Sequence, residues 1–279
     1  MSIANSKISC LPVSLFQDFF DRKFTLEDWA SYAAELGMDY VDINRRCLLD
    51  MSVSQAEAVR GKLARPIMMV TTYSDFTNPD PAALNEAVEA AKVDIALCEA
   101  LGAKYLRLTA GQDYPNQRDE DMIERIYRCF ETCVPLAQKA GLGLLLENHS
   151  KPGAWTYVDY DFHFDHMLKL WEKLKALPIG VNFDTANGFA LKDWKTIADA
   201  FGDRIETVHI NDLASVEPLK FSLVGEGIVP QIKILAEVFR LGFHGPICIE
   251  EAGFRGKEGI AAAYQNTKTI LRELENELA

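Results

Sequence analysis

Eight short apolar, β-prone runs recur along the chain, and a longer stretch with helical periodicity follows each of them. The runs cover 8–16 (ISCLPVSLF), 39–45 (DYVDINR), 66–73 (PIMMVTTY), 104–110 (KYLRLTA), 143–149 (GLLLENH), 179–186 (IGVNFDTA), 206–213 (ETVHINDL) and 246–252 (PICIEEA). Their starts lie 27 to 40 residues apart. A strand, a helix and two loops need about 30 residues or more, so each interval holds one βα unit. Near-continuous apolar strands are those of a parallel sheet covered by helices. Eight such units predict one (β/α)8 TIM barrel domain over residues 1–279, with a doubly wound open sheet as the alternative.

The helices carry their own punctuation. Thr25 and Asp28 read as a capping box before LEDWASYAAEL, whose Leu26, Trp29, Ala30 and Ala33 share one face, and Gly37 stands where a C-terminal stop belongs. Further helices are expected over 52–64, 82–101, 119–140, 163–176, 193–201, 230–241 and 258–278. The longest irregular stretches are 73–81, 110–118, 149–162 and 213–229. They follow strands three, four, five and seven, on the face where barrels carry their sites.

Charge narrows the choice of partner. The formal net charge is −12, which argues against nucleic acid, because phosphate binding needs a basic footprint. No apolar run approaches the ~20 residues of a membrane helix, and the N-terminus lacks the pattern of a secretory signal. The six cysteines contain no CxxC pair; they read as reduced, mostly buried thiols of a cytoplasmic protein. Neither a P-loop nor a dinucleotide fingerprint is present, so NAD or ATP is not expected.

The ends of four consecutive strands carry the chemistry. Strand five ends in Glu147-Asn148-His149, strand six in Asp184, strand seven in His209 and strand eight in Glu250-Glu251. An ionisable residue inside an apolar barrel needs a reason, and three carboxylates brought together repel unless a cation joins them. Mostly oxygen ligands favour one divalent ion, Mn²⁺ or Mg²⁺, with Co²⁺, Zn²⁺ and Fe²⁺ also compatible. Adjacent residues on a strand face opposite ways, so only one of Glu250 and Glu251 points inward.

LLLENH, VNFDTAN, VHINDL, VGEG and GFHGPICIEE resemble the sugar phosphate isomerase/epimerase family of xylose isomerase-like barrels. The resemblance covers nearly the whole chain and is strongest from 143 to 253. It implies a metal held by Glu147, Asp184, His209 and Glu250, with Glu147 and Glu250 also forming an acid/base pair. That pair would move a proton next to a carbonyl of a small carbohydrate. The chain departs from the ketose epimerases at two places: Asn187 stands where they have His, and Ser215 where they have Arg. The same metal and base would serve a dehydratase of a keto-sugar, keto-inositol or keto-acid. A non-catalytic carbohydrate-binding barrel is the reading from another class. Such barrels are commonly homodimers or homotetramers, an arrangement also favoured by the general bias towards symmetric oligomers.

Secondary candidates for substrate contact are His149, Asn187, Arg107, Lys220 and Trp155. Arg107 could instead pair with a barrel acid. Tyr157, Tyr160, Phe19, Phe20 and Phe24 could wall a sugar site or simply pack their loops. Asn211 shares parity with His209 and could support a metal ligand. Glu226 reads as a loop brace. His163 and His166, with Asp159, Asp161 and Asp165 nearby, could look like a metal site but read first as a solvated helix face beneath a loop.

Overall fold

In a computed structural model of the chain, which describes residues 2–150 and 155–279, the apolar runs form strands shorter than their sequence limits. They are β1 (Ile8–Leu11), β2 (Val41–Asn44), β3 (Ile67–Thr71), β4 (Tyr105–Leu108), β5 (Gly143–Glu147), β6 (Gly180–Asp184), β7 (Ile205–Ile210) and β10 (Ile247–Glu250). A hairpin of β8 (Asp212–Ser215) and β9 (Lys220–Ser222) lies between β7 and β10. The eight long-range strands form one sheet in the order β1-β10-β7-β6-β5-β4-β3-β2, every ladder parallel. That order runs around a ring, which excludes the open doubly wound sheet. β1 and β2 lie side by side at the seam, where Ile8 O accepts from the N–H groups of Asp39 and Tyr40.

The helices are α1 (Phe16–Phe20), α2 (Leu26–Leu36), α3 (Val53–Arg60), α4 (Pro81–Leu101), α5 (Asp119–Lys139), α6 (Phe164–Leu174), α7 (Thr185–Ala190), α8 (Trp194–Phe201), α9 (Gln231–Arg240) and α10 (Gly256–Leu278). Both hydrogen bonds of the Thr25–Asp28 capping box form, and Gly37 closes α2 with φ +88°, a conformation that suits glycine. Thr25→Ala removes the cap and should cost about 1 kcal/mol of stability, read by urea unfolding.

Two expectations from sequence need correction. The first run does not stay extended to residue 16. β1 stops at Leu11, Pro12 offers no N–H, and Val13–Leu15 coil into a 3₁₀ turn that leads into α1. The stretch 213–229 is not irregular throughout, because β8 and β9 pair within it.

The inside of the barrel is also more polar than a packed apolar barrel. Side chains alternate along each strand. Ile43, Val70, Leu106, Leu146, Val181, Phe183, Val208 and Ile249 belong to the main apolar core under the helices. The other parity points inward and carries Asp42, Asn44, Thr71, Arg107, Glu147, Asn182, Asp184, Thr207, His209 and Glu250, all buried. Hydrogen bonds satisfy much of this set: Asn44 Nδ2 donates to Thr71 Oγ1 (3.0 Å) and Thr207 Oγ1 to Asn182 Oδ1 (2.6 Å). Met69, Tyr105 and Leu145 form a small separate apolar plug.

Candidate metal centre and its rim

The register of the ladders brings four ionisable side chains to one place. Across β6 and β7 Asp184 lies opposite His209, and across β7 and β10 His209 lies opposite Cys248. Glu250 is two residues beyond Cys248 and therefore on the same face, one step nearer the rim. Glu147 ends β5 opposite Asn182 of β6. Glu147, Asp184, His209 and Glu250 each present a ligand atom within 4.8 Å of the other three, and all four are buried. Glu251 turns away and accepts from Ser14 Oγ and Gly253 N.

These residues fit a divalent cation. Glu147 Oε1 and Asp184 Oδ2 are buried without a hydrogen-bond partner, and the buried His209 ring lies among Glu147, Glu250 and Cys248. Such atoms are costly unless something coordinates them. The set is three carboxylates and one imidazole, which suits Mn²⁺, Mg²⁺, Co²⁺ or Zn²⁺ and not a structural thiolate zinc.

The electrostatics show how strained the cluster is without a cation. Burial pushes the Asp184 carboxyl well above its usual range, and the charges of Glu250 and Glu147 push it further. Burial also works against ionised Glu147, but the Arg107 guanidinium and His209 outweigh it and hold that carboxyl at about 2. Glu147 Oε2 lies 3.0 Å from Arg107 Nε and accepts from Asn182 Nδ2 at 2.8 Å. His209 Nδ1 lies 3.4 Å from Glu147 Oε2 and 3.2 Å from Glu250 Oε2. Burial disfavours the imidazolium, yet Glu147 and Cys248 raise the His209 pKa well above the usual histidine value.

Hydrogen bonds hold Asp184 in place. Its backbone N–H donates to Asn148 Oδ1 and its carbonyl accepts from Asn148 Nδ2, both at 2.9 Å. Its Oδ1 caps α7 by accepting from Asn187 N at 2.6 Å. Asn187 is thereby fixed near the ligands, with its own Oδ1 buried and without a partner.

The other candidates divide. Arg107 pairs with the barrel acid Glu147, and its Nη1 donates to Thr72 O (2.7 Å), so its guanidinium is committed inside the barrel. β5 ends at Glu147, so strand alternation no longer places His149; Asp159 does, with Oδ1 2.5 Å from His149 Nδ1. Trp155 Nε1 donates to the same oxygen at 2.7 Å. Tyr73 meets His149 and Trp155 edge-on and receives Arg107 over its ring. Tyr160 is buried against His166, and Tyr157 packs on Tyr114. Phe19 packs on Phe24, and Arg46 covers Phe20. Lys220 is exposed on β9 opposite Ser215. Asn211 Oδ1 accepts from Asp212 N, and its carbonyl accepts from Thr185 and Gln231. Glu226 braces its loop through Arg255. All six cysteines are free and buried.

Sequence reasoning missed Asp42, Asn182 and Tyr73, and it placed Asp159 beside His163 and His166 and not beside His149. Asp42 carried the same signal as the four rim residues, an acid inside the apolar run DYVDINR. It lies within 4.8 Å of His209 and Cys248, and burial pushes its carboxyl up to about 6.

Asp212 organises the long loop after β7, accepting N–H groups from Leu213, Gly225, Gly227 and Val229 at 2.9–3.1 Å. A Cβ on Gly227 would collide with the Asp212 carboxylate and the Leu213 carbonyl. Gly227→Ala should therefore break this cradle and lower stability by about 1–3 kcal/mol, measured by thermal and urea unfolding.

A ring of eight parallel strands with its polar cluster at the strand C-termini defines an α/β barrel of the site-bearing kind. The chain belongs to the xylose isomerase-like TIM barrel family, whose model matches residues 30–274. Among solved structures it is similar to a D-psicose 3-epimerase with D-tagatose from Clostridium cellulolyticum H10 (13% identity, TM-score 0.74, 95% of this chain and 99% of that one). It is also similar to a probable 3-DHS dehydratase, AsbF, from Bacillus anthracis (17%, 0.69, 98% of each). A third is the IOLI protein with a bound zinc atom (16%, 0.76, 96% of this chain and 99% of that one). No curated protein sequence matches the chain. Among the described residues no helix is long and apolar enough to cross a membrane.

Proposed function

We propose that the protein is a divalent-metal-dependent isomerase or epimerase of a sugar or sugar derivative. The observation that carries this reading is the convergence of Glu147, Asp184, His209 and Glu250, with Glu147 Oε1 and Asp184 Oδ2 buried and without a hydrogen-bond partner. These four residues would hold the cation, which would supply charge stabilisation for an oxygen next to the carbon that loses a proton. The chain's own residues would do the proton work. Glu147 and Glu250 stand on separate strands and would act as base and acid on the two sides of that carbon. Arg107 and His209 keep Glu147 ionised, and the hydrogen bond from Asn182 fixes its direction. His149, braced by Asp159, and Trp155 would form a polar and aromatic wall for the sugar.

The same arrangement fits a metal-dependent dehydratase. Asn187 and Ser215, which replace the epimerase His and Arg, favour keeping that second reading. Elemental analysis followed by a solvent-deuterium exchange assay tests both. The assay uses free and phosphorylated ketoses and keto-acids. About one Mn²⁺, Mg²⁺, Co²⁺ or Zn²⁺ per chain in the rim cluster, with metal-dependent deuterium uptake at carbon, is the expected result. Retention of substrate mass identifies an isomerase, and loss of water a dehydratase. No metal after reconstitution and no exchange would leave the non-catalytic carbohydrate-binding barrel as the better reading.

A further inference from the structure

The pair His163–His166 does not form a plain solvated helix face. His166 lies in the first turn of α6, and His163 stands at the N-cap position without a side-chain capping bond. Asp113, from the loop after β4, and these two histidines present ligand atoms within 4.8 Å of one another. His163 Nε2 lies 3.3 Å from Asp113 Oδ2, and His166 Nε2 lies 3.4 Å from Asp119 Oδ1. Ligands at about 2.0 Å around a tetrahedral Zn²⁺ stand about 3.3 Å apart, and the His163–Asp113 spacing already matches that.

A second observation points the same way. His166 Nδ1 lies 3.2 Å from Tyr160 O, and the ring stacks on Tyr160. With Nδ1 turned towards that carbonyl, Nε2 is directed at the carboxylates. Histidine ligands of metals are held in this way, the far nitrogen donating to a carbonyl or carboxylate. The N-terminal end of a helix disfavours a cation, and Lys169 also pairs with Asp119. Asp113, Asp119 and Asp165 supply the opposing negative charge.

We propose that Asp113, His163 and His166 form a second, peripheral site for a transition-metal cation such as Zn²⁺, with water completing the shell. The site is separate from the rim cluster and shares no residue with it. It spans two segments that already touch: Gln112 and Asp159 form a β-bridge, and Tyr160 N–H donates to Gly111 O. A bound ion would clamp the loop after β4 to the segment that carries Asp159, the brace of His149.

Equilibrium dialysis against Zn²⁺ at micromolar free concentration, with elemental analysis of the protein, tests this. The Asp184→Asn chain, weakened at the rim cluster, should still retain one Zn²⁺. Adding His163→Ala or His166→Ala to that chain should remove this ion. His163 is exposed, so circular dichroism of the His163→Ala variant should match that of the parent, and it checks the fold of the part-buried His166 variant. In the Asp184→Asn chain, Zn²⁺ should also shift the imidazole NMR resonances of His163 and His166. Equal Zn²⁺ retention with and without His163→Ala, or unshifted resonances of both histidines, would overturn the proposal. Neither result depends on whether the rim cluster is catalytic.

Discussion

Glu250→Gln should lower proton exchange into a keto-sugar substrate by about 10²–10⁴-fold, the contribution of one positioned acid or base. Glu147→Gln should cause a loss of the same order. The two variants should separate in stability when the protein is stripped of metal by a chelator. Glu250 repels Asp184 and raises its pKa, so the amide at 250 relieves a buried repulsion. It also weakens the approach of Glu250 to His209 Nδ1 at 3.2 Å, so the metal-free Glu250→Gln chain should unfold close to wild type and at a higher urea concentration than Glu147→Gln. Glu147 is instead the partner of buried Arg107. An amide there still accepts a hydrogen bond but leaves the guanidinium without its counter-charge, which costs up to about 3–5 kcal/mol. Equal exchange rates in wild type and both variants would remove the acid/base assignment.

Arg107→Met should be the most damaging substitution away from the ligands themselves. It leaves Glu147 as a buried carboxylate supported only by Asn182 and His209, and the expected loss near neutral pH in chelator is about 3–5 kcal/mol. The pH dependence gives the sign. In the wild-type protein the Glu147 pKa is depressed from 4.5 to about 2. Its contribution is fully present above 4.5 and is lost as pH falls towards 2. In Arg107→Met, burial pushes the Glu147 pKa upward, so protonation relieves the variant. The gap between wild type and Arg107→Met should therefore begin to narrow above pH 4.5, as the variant's raised carboxyl protonates, and go on narrowing towards pH 2 as wild type loses its own contribution. Urea unfolding across that range, with chelator present, measures it. A gap that stays constant with pH would mean that Arg107 acts through packing of its side chain and not through Glu147.

Much of the site was legible because burial makes charged residues conspicuous. An acid or imidazole at the end of an apolar run has to be explained, and four such runs in succession pointed to one rim. Alternation reduced Glu250 and Glu251 to one inward residue but could not say which, since that depends on the phase of β10 against β7. The ladder pairing Cys248 with His209 sets that phase. Arg107 could have gripped a substrate or a barrel acid, and only the packing of β4 beside β5 assigns it to Glu147. His149 illustrates the limit of periodicity, because its strand ends two residues earlier and Asp159, ten residues on, orients it.

The peripheral histidines show the same limit. Spacing of three put His163 and His166 on one side of a helix, but Asp113 is fifty residues away in sequence and arrives through loop packing. By itself the sequence determined the alternation of strand and helix, the ring of βα units it implies, and the acids and histidine at the strand ends. These are local properties, written in periodicity and in the cost of placing charge among apolar neighbours. Which inward acid meets which cation, which loop braces which histidine, and the polar lining of the barrel were decided by tertiary structure. They depend on strand register and loop closure, where residues distant in the chain meet and no local pattern records the meeting.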